Sequence, residues 1–493
     1  MRGLSVYSCL TGVMFATTLM SVQADEITYI QDDGQQVTVE AQIYGSDRGA
    51  VALELADGSL EVIPEARIVK REPTDGPEPL DEDAMIAQLT RRFGAEKFRA
   101  TSKRPFVVGL VLANPLSTRI EETRAQSFLR EAVGFMKRVE NEFKNYARQA
   151  RISIDNPKHT LVALIFETDD DFEAYVEESR GGGQSLSAGN IAGFYSGMSN
   201  FLVLRLGECY DFATPLHEAM HQQVYNRGVF RRLAPLPVWF NEGIATSFEG
   251  NGDRIRNGPN RLNSQYARKA LAGGGLSWTE TVQHNAAFRG DIFAGDAYRN
   301  AWSMHWFLLN NYPDGYKNYV ERLGEKDSLA EMSPEQQLAE FEEIFGKPPA
   351  ELETEFRRKL PIEMQRQRLS ATERRQAGIS ETQSHLGEVV LTAVRQPNGF
   401  LQVQGQLTNI SPLRDMAYYV TVVTGTGEFA DWFIPDLKIR KSQRLPLQFV
   451  QKRIVGVNLG PAGTFRVKIQ SAIANGDTAN AWKQGQLPSP LGE

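Results

Sequence analysis

The chain changes its hydrophobic rhythm three times. Between Asp25 and Glu72, apolar and polar residues alternate in four short runs (27–30, 37–43, 51–55 and 60–63), with Asp32-Asp33-Gly34 and Ala56-Asp57-Gly58 as turn signals. This pattern predicts a small SH3-like β-barrel over 25–72. The Pro- and acid-rich stretch that follows reads as a linker over 73–85. The middle of the chain is different. Two unbroken apolar runs, 106–111 and 161–166, predict buried strands. Phe128, Ala132, Phe135, Val139, Phe143 and Tyr146 recur at spacings of three and four and predict a long helix over 120–146. Thr168 caps a shorter helix, and Gly181-Gly182-Gly183 opens a loop. The runs 192–195 and 201–206 predict a hairpin. Helical patterns then dominate to about residue 370, with Gly346 stopping one helix and the prolines after it starting the next. A polar linker over 371–386 leads to evenly spaced short strands over 387–474, which predict an immunoglobulin-like β-sandwich, and 475–493 reads as a flexible tail.

Composition alters this picture at the N-terminus. Residues 1–24 combine Arg2, an apolar run with small residues, and Val22-Gln23-Ala24 as a small-residue cleavage site, which predicts a secretory signal peptide and an exported protein, periplasmic or extracellular. No later stretch is long and apolar enough to span a bilayer. Removing the signal removes Cys9 and leaves Cys209 alone, so no intramolecular disulfide can form. A net charge of −7 provides no basic footprint for nucleic acid.

The chemistry concentrates between Phe212 and Glu249. His217 and His221 stand at i and i+4, so on a helix they share a face and can reach one metal ion. Glu218 lies beside them, where a carboxylate can take a proton from an activated water. Glu242 opens a second apolar-rich helical run as the third candidate ligand. Two histidines and one glutamate with an open position form a catalytic zinc arrangement. The chain holds only six histidines, so this pattern is specific. Cys209 lies close enough in sequence to touch the metal, or packs as a small apolar side chain. Glu249 is either a partner to a ligand histidine or a surface residue.

His217-Glu218-x-x-His221 followed by Asn241-Glu242-Gly243-x-Ala245 resembles the gluzincin metallopeptidases, the peptidase MA-like group that includes thermolysin and the aminopeptidase N enzymes, and in particular exported bacterial proteins of an uncharacterised family with this domain. The resemblance extends over about 105–360. It implies one Zn²⁺ held by His217, His221 and Glu242, with Glu218 as general base. It also implies a downstream hydrogen-bond donor to the substrate carbonyl; Tyr298 is the expected donor and His305 the alternative. The 192–206 hairpin is expected to present an edge strand, for substrate or for structure alone. Ser199, if Gly197-Met198-Ser199-Asn200 aligns with the aminopeptidase signature, replaces an amine-anchoring glutamate, which favours an endopeptidase. The expected whole is a multidomain α+β protein: a thermolysin-like gluzincin catalytic domain over 86–370, with an α/β half and a helical half, flanked by the two β domains. Its partners would be a peptide or protein substrate and, through the terminal β domains, another protein. The alternatives are an inactive gluzincin scaffold and a cell-envelope interaction module.

Overall fold

The computed structural model describes residues 24–180, 192–210, 212–250, 255–288, 294–369, 379–384, 386–395, 401–424, 429–449 and 465–488. The predicted signal, apart from Ala24, lies outside these residues, as do the Gly181–Gly183 loop and 371–378 of the second linker. The architecture is mixed α+β.

The first unit is a five-stranded antiparallel sheet of β1 (Ala24–Ile30), β2 (Gln36–Asp47), β3 (Ala50–Glu54), β4 (Leu60–Pro64) and β5 (Ile68–Thr74). Its order is β4-β3-β2-β1-β5. The predicted barrel is therefore not closed. A single 3₁₀ turn, Glu65–Arg67, carries the chain from one edge of the sheet to the other, and β4 and β5 form no ladder with each other. The alternating positions Ile27, Tyr29, Val51, Leu53 and Ile63 bury one face. The connection after β5 is short, because α1 (Glu82–Phe93) already starts where Asp81 accepts the Ala84 N–H at 2.8 Å.

The second unit begins with β6 (Phe98–Lys103), β7 (Phe106–Val111), α2 (Arg119–Ala150), β8 (Leu161–Phe166), α3 (Asp169–Arg180), β9 (Gly193–Tyr195) and β10 (Leu202–Arg205). The sheet order is β6-β7-β8-β10-β9, with β7, β8 and β10 parallel and the two edge strands antiparallel. The apolar runs of β7 and β8 follow from this placement. Phe106, Val108 and Leu110 pack towards α2, while Val107 and Val111 pack with Met85 and Leu89 of α1 and Phe172 and Tyr175 of α3.

Helices complete the unit: α4 (Ala213–Asn226), α5 (Val238–Phe248), α6 (Ser264–Ala272), α7 (Trp278–Gln283), α8 (Ala294–Asn311), α9 (Pro313–Gly324), α10 (Pro334–Phe345) and α11 (Pro349–Arg366). The third unit consists of two antiparallel sheets, β11 (Ile379–Ser384), β12 (Gly387–Arg395), β13 (Leu401–Asn409) and β16 (Ser442–Phe449) in one, β14 (Met416–Thr424), β15 (Phe429–Leu437) and β17 (Phe465–Ile473) in the other. They share a core of Val389, Leu391, Val403 and Leu407 with Tyr418, Val420, Trp432 and Ile469. The tail is not free of structure. Its residues Asp477–Lys483 form α12, which lays Ala479 and Trp482 on Ala417, Tyr419 and Phe433. Those two residues, three apart, make one apolar helical stripe inside an otherwise polar sequence. No described helix is long and apolar enough to cross a membrane.

Candidate metal centre

The candidate ligands lie on two helices that pack together, α4 and α5. α4 is buried almost all round, through Pro215, Leu216, Ala219, Met220 and Val224, so its polar residues need protein partners. Gln222 donates to the Val162 carbonyl at 2.9 Å and ties α4 to β8. Gln223 accepts from the Arg227 Nε at 2.8 Å. α5 packs on α8 at Gly243, where a Cβ would stand 2.9 Å from the Ala301 carbonyl oxygen and 2.2 Å from the His305 ring. Gly243 is thus a close-approach glycine inside a helix, and it seats the neighbouring Glu242.

These helices bring His217, His221 and Glu242 together, with one donor atom from each inside 4.8 Å of the others. His217 Nε2 is 3.3 Å from His221 Nε2 and 3.2 Å from Glu242 Oε2, and His221 Nε2 is 3.7 Å from the same carboxylate oxygen. Donors of a tetrahedral zinc ion at about 2.0–2.1 Å stand about 3.3 Å apart, so the triangle fits that ion. The orientation also fits. His217 Nδ1 meets Glu249 Oε1 at 2.8 Å, which directs the Nε2 lone pair at the centre of the triangle. Glu249 is held in turn by the Tyr266 hydroxyl at 2.5 Å and, through its carbonyl, by Asn263 Nδ2 at 2.9 Å.

The electrostatics reflect the crowding of acids and imidazoles at this point. Burial alone would depress the His217 imidazole, but its bonds to Glu242 and Glu249 outweigh burial and hold it well above its ordinary value. Burial would raise the Glu242 carboxyl, but the facing His221 and the bond to His217 hold it well below the usual carboxylate range. Burial pushes Glu218 up, against the pull of both histidines. Three carboxylates thus surround two imidazoles, a donor set that could hold a cation.

Glu218 stands beside the triangle, and its Oε2 accepts the Tyr195 N–H from edge strand β9 at 3.0 Å. Tyr298, in the first turns of α8, has its ring centroid 6.2 Å from that of His217, and burial together with the negative Glu242 pushes its phenol above the ordinary value. Two cavities flank the centre, of ≈ 390 and ≈ 510 Å³, and His217, Glu218 and Tyr298 line both. Among the described residues, cavities therefore lie on both sides of the candidate ligands.

Other expectations are corrected. His305 is fully buried between α5 and α9, with its Nδ1 2.8 Å from the Tyr316 hydroxyl and its imidazole driven down to about 3 by burial, so it cannot serve the cleft. Ser199 lies in the turn between β9 and β10, where its Oγ accepts the Phe201 N–H at 3.3 Å; it is not on the edge strand, and its comparison with the aminopeptidase glutamate does not carry over. Cys209, by contrast, follows its expected reading as a small apolar side chain: it is buried, with its Sγ 3.6 Å from the Arg205 carbonyl oxygen, and lies outside the candidate ligand group. Sequence reasoning assigned no role to Tyr266, Asn241 or Arg232. Tyr266 backs Glu249, Asn241 accepts from the Tyr225 hydroxyl at 3.3 Å, and both Asn241 and Arg232 line the smaller cavity. Only Asn241, inside the Asn-Glu-Gly motif, carried a local signal. No curated protein matches the chain. Residues 211–330, which hold both ligand-bearing helices and Tyr298, are similar to a family described as "Protein of unknown function (DUF1570)".

Proposed function

We propose that the protein is an exported zinc-dependent peptidase that hydrolyses internal peptide bonds, with the gluzincin type of site implied by its sequence. The observation that carries this reading is the convergence of His217, His221 and Glu242 on one point, with Glu218 beside it and Tyr298 across the cleft. A zinc ion bound there would supply Lewis-acid polarisation and a lowered pKa for a bound water. Glu218 takes the proton of the attacking water and delivers it to the leaving amine. The Tyr195 N–H keeps the Glu218 carboxylate turned into the cleft. The Tyr298 hydroxyl donates to the carbonyl oxygen as negative charge develops. β9 is an edge strand at the cleft wall and is suited to pair with an extended substrate backbone. Cavities on both sides of the candidate ligands can take a chain on either side of the scissile bond, which supports an endopeptidase.

The test is cleavage of an unfolded protein such as casein by the full chain and by Glu218→Gln. The substitution keeps size and fold, and cleavage is expected to fall by roughly 10²- to 10⁴-fold with bound zinc unchanged. Equal cleavage by both would remove Glu218 from the chemistry, and no cleavage by either would set the peptidase reading aside.

A further inference from the structure

The N-terminal sheet reaches the cleft through one side chain. Arg232 lies in the loop between α4 and α5, immediately before Leu233 and Ala234, which line the smaller cavity beside the candidate ligands. It is 4% exposed, and the two shortest hydrogen bonds of its guanidinium cross the boundary between units. Nη2 meets Glu54 Oε1 at 2.7 Å, and Nη1 donates to the Gly58 carbonyl at 2.6 Å. The Arg232 N–H donates to the Tyr44 hydroxyl at 3.0 Å, and the guanidinium sits over the Tyr44 ring, 5.0 Å from its centroid. The same Nη1 also reaches the Gly197 carbonyl at 3.3 Å, in the turn that follows β9.

A second contact supports that turn. The Leu60 N–H of the N-terminal sheet donates to the Met198 carbonyl at 2.6 Å. Gly58 permits this approach: at φ +81° it takes a conformation that side chains resist, and a Cβ would stand 2.8 Å from the ring of His159. On the other wall, Leu233 holds φ +61°, a left-handed conformation unfavourable for leucine, next to an arginine fixed at its N–H, its side chain and its carbonyl. β2, β3 and the turn after β3 hold the Arg232 N–H and guanidinium, while the loop between α9 and α10 holds the backbone beyond them: the Ser328 hydroxyl donates to the Arg232 carbonyl at 2.7 Å and the Leu329 N–H to the Leu233 carbonyl at 2.9 Å.

We infer that Arg232 is a positioning residue for substrate binding, and that the N-terminal sheet braces the cleft wall from behind through Arg232 rather than acting only as an independent recognition module. This rests on the peptidase reading of the cleft. Arg232 touches no reacting group; it sets the positions of Leu233, Ala234 and the turn behind β9. Loosening it should weaken substrate binding and leave the ligand triangle and the chemical step largely intact.

The test uses zinc-loaded full-length protein carrying Arg232→Met, with Glu54→Gln as a size-conserving partner and Arg232→Lys as the conservative exchange. Casein-peptide kinetics should show KM raised about tenfold, with kcat within about threefold of wild type and zinc content unchanged. Lysine should recover only part of the loss, because one ammonium group cannot reach the same set of acceptors. Hydrogen exchange, read by mass spectrometry, should speed up roughly tenfold in 193–200 and 229–236, and not in α4 or α5. Unchanged exchange in both segments overturns the inference whatever the kinetics, and so does an unchanged KM when exchange has risen. Loss of zinc from the variants also overturns it, since the seam would then serve the ligands. If the wild type cleaves nothing, the peptidase reading falls and exchange alone decides whether Arg232 positions the wall.

Discussion

Each terminal β unit is docked to the middle of the chain by a buried arginine–carboxylate pair, and the two pairs are built in opposite senses. At the N-terminal seam the middle unit supplies the arginine, Arg232, and the sheet supplies Glu54. At the C-terminal seam the β unit supplies Arg414 and the middle unit Glu167, at 2.6 Å, with a further bond from Arg414 to the Asn114 carbonyl at 2.7 Å. Both pairs are nearly fully buried, so both seams are fixed contacts and neither β unit hangs on a loose tether. What differs is what the arginine stands next to. Arg232 adjoins residues that line the cleft, whereas Arg414 binds at the ends of β7 and β8, away from the ligand triangle. Similar docking chemistry can therefore serve substrate binding at one end of the molecule and cohesion alone at the other.

The largest expected effect separates the two. Arg414→Met would leave Glu167 buried with, among the described residues, the Ala113 N–H at 2.9 Å as its remaining close donor. Removing one partner of a buried pair costs about 3–5 kcal/mol. Denaturant titration should show that loss, while KM for a peptide substrate stays at the wild-type value. A raised KM would erase the distinction between the seams.

A smaller effect sharpens it. Burial would raise the Glu54 carboxyl, but His159 and Lys158 outweigh burial and, with Arg232 also facing it, the group is held down to about 2. A folded-state value below the unfolded one means that its stabilisation is complete above about pH 4.5 and disappears as pH falls towards 2. The amount is on the order of 3 kcal/mol. Denaturation midpoints measured from pH 6 to pH 2.5 should fall over that interval in wild type and fall less in Glu54→Gln. Matching pH profiles would remove Glu54 from the acid sensitivity.

The same comparison shows what a sequence discloses. Strands β7 and β8 were legible to the residue because six consecutive apolar positions leave no other reading in a sheet buried on both faces. The convergence of His217, His221 and Glu242 was legible because helical geometry fixes the reach of i and i+4, and Asn241-Glu242-Gly243 lay in an apolar context. The role of Gly243 as a packing contact was not, because it depends on α8, far along the chain. β5 escaped notice since Ile68 and Val69 are followed by Lys70-Arg71-Glu72, as suits an edge strand. Arg232 and Glu54 read as ordinary surface charges, 178 residues apart, and only tertiary structure pairs them. α12 was hidden in the same way, with two apolar residues that matter only once a sheet is there to receive them.

The decisive measurement is the metal content of the purified full-length protein. About one zinc per chain is expected in wild type and in Glu218→Gln, and close to none in His221→Ala or Glu242→Ala. Wild-type protein that takes up no zinc, or a His221→Ala variant that keeps all of it, would contradict the ligand set from which the proposed chemistry follows.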